Sequence, residues 1–140
     1  MTALERYGAF FAGMQPADLD HLDTVFVENA RFRDPFNDVE GIAGIRAVFE
    51  HMYAQCAVAR FEVLETIGEG SVGYLRWRFH FRLQRDRADR RPVEGVSRVM
   101  FAADERVREH IDYWDAAGEL YEQFPVVGAL MRWLRGRLAV

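Results

Sequence analysis

The stretch with the most chemistry in it is His110-Ile111-Asp112-Tyr113-Trp114-Asp115. Its polar and apolar side chains alternate, which reads as a β-strand, where successive side chains point to opposite faces. His110, Asp112 and Trp114 therefore share one face, and Ile111 and Tyr113 the other. An acid beside a tryptophan on an inward-looking face is an ionisable group in a partly apolar cavity. Such a group suits proton donation, water activation or anchoring of a ligand; its structural counterpart is a buried ion pair with an arginine. Asp34 repeats the situation. Ala30-Arg31-Phe32-Arg33-Asp34 alternates, so Asp34 lies on the side of Phe32, and Pro35 ends the strand. Among Phe32, Phe10 and Trp114, Asp34 would act as a general base. Otherwise it caps a turn or pairs with Arg33. His110 is placed to orient Asp112, although a histidine near a strand start more often touches solvent. His21 and His51 read as surface residues of helices.

Other chemistry is limited. Ser97 has no histidine at a suggestive spacing, so it reads as a pocket hydroxyl rather than a nucleophile. No histidines or acids stand at a metal-ligand spacing such as His-Glu-x-x-His, so no metal and no cofactor are expected. All 18 basic residues are arginine, which excludes a Schiff-base lysine and a P-loop lysine. The single cysteine, Cys56, excludes an intramolecular disulfide and argues against a thiolate metal site.

The elements that must position these residues follow from periodicity. Leu4, Tyr7, Phe10, Phe11 and Met14 fall at helical spacing over 3–14. Pro16 stops that helix and opens a second, to about Phe26, on Leu19, Leu22, Val25 and Phe26. The strand to Asp34 follows, then a turn at Asn37-Asp38. A third helix runs from about Gly41 to Gln55 on Ile42, Ile45, Val48, Phe49 and Met52. Three long strands come next, at about Arg60–Ile67, Val72–Leu83 and Val93–Phe101. In the second, Leu75, Trp77, Phe79, Phe81 and Leu83 alternate with Tyr74, Arg76, Arg78, His80 and Arg82. The apolar set should face inward, with Trp77, Phe79, Ser97 and Val99 on the cavity side. The arginines should form an outer ladder with Glu62, Glu65 and Glu94. After the strand 106–114 come a short helix, 116–121, and a last one after Pro125 with Val127, Leu130, Trp133, Leu134 and Leu138 on its apolar side. That last helix reads as a lid or side wall, with membrane binding unlikely from its pattern.

Helices first and long strands afterwards point to an α+β fold rather than alternating α/β. At 140 residues the chain suits one domain, 1–140, with a proper core. A net charge of −4 gives no general pull toward nucleic acid. No apolar run approaches the roughly 20 residues that span a bilayer, and the first residues do not resemble a signal peptide. A cytoplasmic location is the expectation.

This order of elements, with Phe32-Arg33-Asp34-Pro35, Gly41-Ile42-Ala43-Gly44-Ile45, Gly95-Val96-Ser97 and Asp112-Tyr113-Trp114-Asp115, resembles the nuclear transport factor 2-like superfamily. More narrowly, it is similar to the SnoaL-like branch, with polyketide cyclases, ketosteroid isomerase and limonene-epoxide hydrolase among its relatives. The resemblance implies a cone, in which a strongly curved antiparallel sheet is wrapped by three N-terminal helices, with a C-terminal helical extension. It also implies a small hydrophobic ligand and a homodimer through the outer sheet face. Asp34 matches the place of the isomerase base. The isomerase's oxyanion-holding tyrosine and protonated acid fall on Phe10 and Ser97 here, with Tyr7 one turn away on the same helix. Asp112 matches one catalytic aspartate of the epoxide hydrolase. Arg78 and His80 would match that enzyme's arginine and second aspartate, which conflicts with their outward alternation. The expected enzyme is a cofactor-independent isomerase, cyclase or hydrolase in which Asp34 and Asp112 move protons. Its ligand contacts would be Tyr7, Phe10, Trp77, Phe79, Ser97, Val99, His110 and Trp114. The alternative is a non-catalytic binding protein of the same fold.

Overall fold

The computed structural model describes residues Met1–Ala139. Helix α1 (Ala3–Ala12) starts at a capping box. Thr2 Oγ1 accepts from the Glu5 amide at 3.1 Å, and the Glu5 carboxylate accepts from the Thr2 amide at 2.8 Å. Two first-turn donors are satisfied this way. One helical turn apart, Tyr7 and Phe11 are both buried.

The second helix differs from expectation. Pro16–Thr24 is a 3-10 segment broken at His21, and Phe26 opens strand β1 (Phe26–Arg33). Phe26 is fully buried and registers with Val107. The spacing of Leu22, Val25 and Phe26 thus joins a helix end to a strand start, and sheet pairing overrides the helical stripe. A three-residue edge strand, β2 (Asp38–Glu40), replaces the expected turn and is too short to show alternation. Gly41 then takes φ 92°, a conformation that favours glycine, and leads into α2 (Ile42–Gln55).

Strand β3 (Cys56–Glu69) begins where α2 ends, four residues before Arg60. Strands β4 (Val72–Leu83), β5 (Val93–Phe101) and β6 (Val107–Tyr113) complete an unclosed, curved sheet in the order β2-β1-β6-β5-β4-β3. All neighbours are antiparallel except β1 and β6. That parallel pair is possible because the whole β2–β5 excursion lies between its strands. Register shifts in β3 between Cys56 and Val58 and between Val63 and Glu65 add local twist.

The arginine ladder lies on the outside. Arg78 meets Glu94 at 2.5 Å and Glu62 at 3.3 Å, Arg76 meets Glu94 at 3.4 Å, and His80 meets Glu62 at 3.4 Å. Arg78 and His80 therefore do not reach the interior, which removes the match to the epoxide hydrolase arginine and second acid.

In the tail, Asp115 caps α3 (Ala116–Glu119) by accepting from the Gly118 amide at 2.9 Å. A 3-10 turn, Tyr121–Gln123, precedes α4 (Pro125–Leu138). The expected lid or side wall is not formed. Helix α4 packs against the Tyr121–Gln123 turn, and Val127, Leu130, Trp133, Leu134 and Leu138 stand exposed. Among the described residues no helix is long and apolar enough to cross a membrane.

Candidate functional site

The concave side of the sheet, α1, α2 and the segment after β6 enclose a cavity of about 410 Å³. Its walls are apolar. Strand β4 contributes its whole inward set, Leu75, Trp77, Phe79, Phe81 and Leu83. Pairing keeps neighbours in phase: Ser97 registers with both Leu75 and Asp112, and Val99 with His110. Gly95 registers with Trp77, and there a Cβ would lie 2.6 Å from the Trp77 ring and 2.9 Å from the Trp114 Cβ. The missing side chain is what lets both tryptophans line the cavity.

A chain of hydrogen bonds crosses the cavity floor. Trp77 Nε1 donates to Ser97 Oγ at 2.8 Å, and Ser97 Oγ donates to Asp112 Oδ1 at 2.5 Å. His110 Nε2 stands 2.6 Å from the same Oδ1, and the Tyr7 hydroxyl stands 2.7 Å from His110 Nδ1. Burial, and then the charge of Asp112, raise the Tyr7 phenol well above its ordinary pKa. Tyr7 thus stays protonated, and His110 Nδ1 is its hydrogen-bond partner. Donation to Nδ1 makes that nitrogen an acceptor, so the network assigns the imidazole proton to Nε2, which donates to Asp112. Two donors on one carboxyl oxygen is the pattern a carboxylate accepts. Asp112 Oδ2 receives no hydrogen bond among the described residues and belongs to a cavity-lining side chain. His110 is 3% exposed, not solvent-touched as expected, and the Phe32 ring stacks on it at 4.4 Å.

Asp34 lines the same cavity, beside the exposed Pro35 and Phe36. Its Oδ1 accepts from the amides of Phe36 and Asn37, both at 2.8 Å, and from Asn37 Nδ2 at 3.2 Å. The turn-capping role is therefore occupied, and among the described residues Asp34 Oδ2 meets only Asn37 Nδ2, at 3.2 Å. Phe10 does not accompany it. Phe10 and Tyr7 line a separate hollow of about 230 Å³ behind α1. Phe10 sits a helical step away from the inward-facing Phe11, and Tyr7 reaches the cavity only through His110. Val99 is fully buried beneath the floor and does not line the cavity. The remaining expected contacts, Trp77, Phe79, Ser97, His110 and Trp114, all do.

Sequence reasoning did not single out Phe61 and Val63 of β3, Phe49 of α2, or Phe36 after Pro35, which also line the cavity. Phe61 and Val63 carry a period-two signal, and Phe49 belongs to the α2 stripe. No signal marked Phe36, which is brought in by the Asp34 turn. No group of three or more metal-ligating side chains occurs among the described residues.

The SnoaL-like domain pattern matches residues 7–110, and the chain belongs to that family. No curated protein matches the sequence. Solved structures share the fold at low identity. A candidate polyketide cyclase from Pseudomonas putida has a TM-score of 0.72 at 16% identity, over 89% of this chain and 99% of that one. A candidate SnoaL-like polyketide cyclase from Shewanella putrefaciens gives 0.71 at 16%, over 88% and 96%. A candidate isomerase of the SnoaL-like family from Agrobacterium tumefaciens gives 0.64 at 22%, over 81% and 94%. The fold is thus of the nuclear transport factor 2-like type.

Proposed function

We propose that the cavity is the active site of a cofactor-independent isomerase or cyclase acting on a small, largely apolar substrate. The observation that carries this reading is the hydrogen-bonded chain ending at Asp112 in a largely apolar enclosure. Asp112 Oδ2 takes a proton from a carbon next to a carbonyl, the electron pair moves onto the carbonyl oxygen, and the proton returns at another carbon or on oxygen. His110 and Ser97 hold Oδ1 and fix the carboxylate plane, so positioning comes from the fold before substrate arrives. Asp34 is a weaker candidate for proton transfer, because its Oδ1 already caps the turn.

The test is deuterium incorporation. Small enones, cyclic ketones and polyketide-like diketones are incubated with the protein in D2O and read by NMR. The reading expects catalysed exchange that falls by about 10²- to 10⁴-fold in Asp112→Asn, with an unchanged circular dichroism spectrum. Equal exchange in the variant would refute it. Capture of such compounds without exchange would favour a binding protein, the reading to which the occupied Asp34 lends support. A dimer through the outer sheet face is part of the proposal, supported by exposed Ile67 and Tyr74 beside the Arg–Glu ladder. Sedimentation velocity tests it. A cytoplasmic location is also part of the proposal.

A further inference from the structure

The cavity is electrostatically one-sided. The chain has 18 arginines, and among the described residues none lines the cavity, whereas Asp34 and Asp112 both do. Helix α2 adds to this. Its last two turns supply the lining residues His51, Met52 and Gln55, and no basic residue stands in the last turn. The carbonyl end of a helix acts as roughly half a negative charge. Nine of the lining residues are Phe or Trp, and aromatic ring faces are themselves negative.

The mouth gathers these features. Phe36 is 53% exposed, and His51 and Gln55 are exposed, so these lining residues mark the opening. Asp34 adjoins Phe36, its Oδ1 holding the Phe36 amide and its Oδ2, among the described residues, holding only the Asn37 side chain. The Phe36 ring packs edge-on to Trp114 at 5.6 Å. A carboxylate with spare acceptor capacity thus lines the same cavity as these two packed aromatic rings.

An anion entering here would lose water beside two carboxylates with no arginine among the described lining residues. A neutral compound gains only apolar burial. A cation with an apolar body gains that burial together with attraction to the carboxylates and the ring faces. We propose that the cavity selects hydrophobic ammonium compounds, with the cationic nitrogen at the mouth between Asp34, Phe36 and Trp114 and the apolar body inside. This rests on the cavity being the functional site and names the substrate class for it, leaving Asp112 to the reacting carbon.

The experiment is isothermal titration calorimetry on the full chain at low ionic strength with three probes of like shape. They are benzyltrimethylammonium, its uncharged carbon isostere neopentylbenzene, and 3-phenylpropanoate. The expected order is ammonium tighter than neutral by about tenfold, with no detectable carboxylate binding. Asp34→Asn is expected to reduce the ammonium preference several-fold while neopentylbenzene binding stays unchanged. Equal or tighter neutral binding, binding of the carboxylate, an unaltered preference in Asp34→Asn, or no binding of any probe would each overturn the proposal. Because no turnover is read, failure here is separate from failure of the deuterium-exchange test. Ammonium selectivity without exchange would overturn the catalytic reading alone.

Discussion

Tyr7→Phe isolates the part played by the hydroxyl behind His110. The change removes one oxygen and keeps the ring, which packs edge-on to Phe11 at 5.0 Å and to Phe26 at 5.8 Å. Apolar packing is therefore preserved, and the lost quantity is the 2.7 Å hydrogen bond to His110 Nδ1. Tyr7 and His110 are each 3% exposed, so water does not readily replace the hydroxyl. An unpaired buried acceptor costs about 1–3 kcal/mol, and urea denaturation should show a loss in that range at unchanged m-value. Moving the imidazole proton to Nδ1 would not relieve the defect, because it leaves an unpaired N–H there and turns the Nε2 lone pair on Asp112 Oδ1. Nitrogen-15 NMR of the imidazole reads this directly, as a retained Nε2–H tautomer with an Nδ1 resonance shifted by the loss of its donor. Tyr7 does not line the cavity, so in any reaction that is found kcat should fall with KM little changed. A stability loss under about 0.5 kcal/mol together with an unshifted Nδ1 resonance would refute the assignment of Tyr7 as the residue that positions His110.

Three further outcomes are expected. Gly95→Ala places a methyl against the Trp77 ring and Trp114, and should cost about 1–3 kcal/mol from overpacking while weakening ligand binding; a full-affinity, full-stability variant would contradict the close approach. Hydrogen bonding from Arg90 holds the Asp86 carboxyl below its ordinary pKa, and Arg78 does the same to Glu94. A lowered folded-state pKa gives stability that is present above the unfolded value, about 4 for these groups, and lost as pH falls through the folded values. Melting temperature should therefore drop on the acid side, and Asp86→Asn should flatten that limb; an unchanged limb would assign the acid loss elsewhere. Deletion of 125–140 removes a helix whose apolar side is exposed, and should cost about 1 kcal/mol or less by thermal denaturation; collapse of the fold would show that α4 carries core packing.

Much of the sheet was legible because its faces differ chemically. In β4 five apolar residues alternate with tyrosine, arginine and histidine, and β5 was bounded at Val93 and Phe101 for the same reason. The shared face of His110, Asp112 and Trp114 followed from period two alone. Where pattern and pairing disagree, local reading failed. Leu22, Val25 and Phe26 keep a helical spacing across a helix–strand junction, and β2 has too few residues for any period. The stripe on α4 was correctly apolar, yet periodicity cannot say whether another element covers it.

The residue types of this chain by themselves excluded lysine chemistry and an intramolecular disulfide, set the α+β order, and marked Asp34 and Asp112 as acids beside aromatics. Only the tertiary structure distinguished between them. Asp34 is held by two amides of its own turn, an interaction set by local backbone path. Asp112 is held by Ser97 from β5 and by His110, which is in turn held by Tyr7, 103 positions away in sequence on α1. Side-chain period reports which face a residue occupies, because it is a property of one strand. Which donors converge on a carboxylate depends on strand register and on how a helix crosses the sheet, and those distances exist only once the chain has closed on itself.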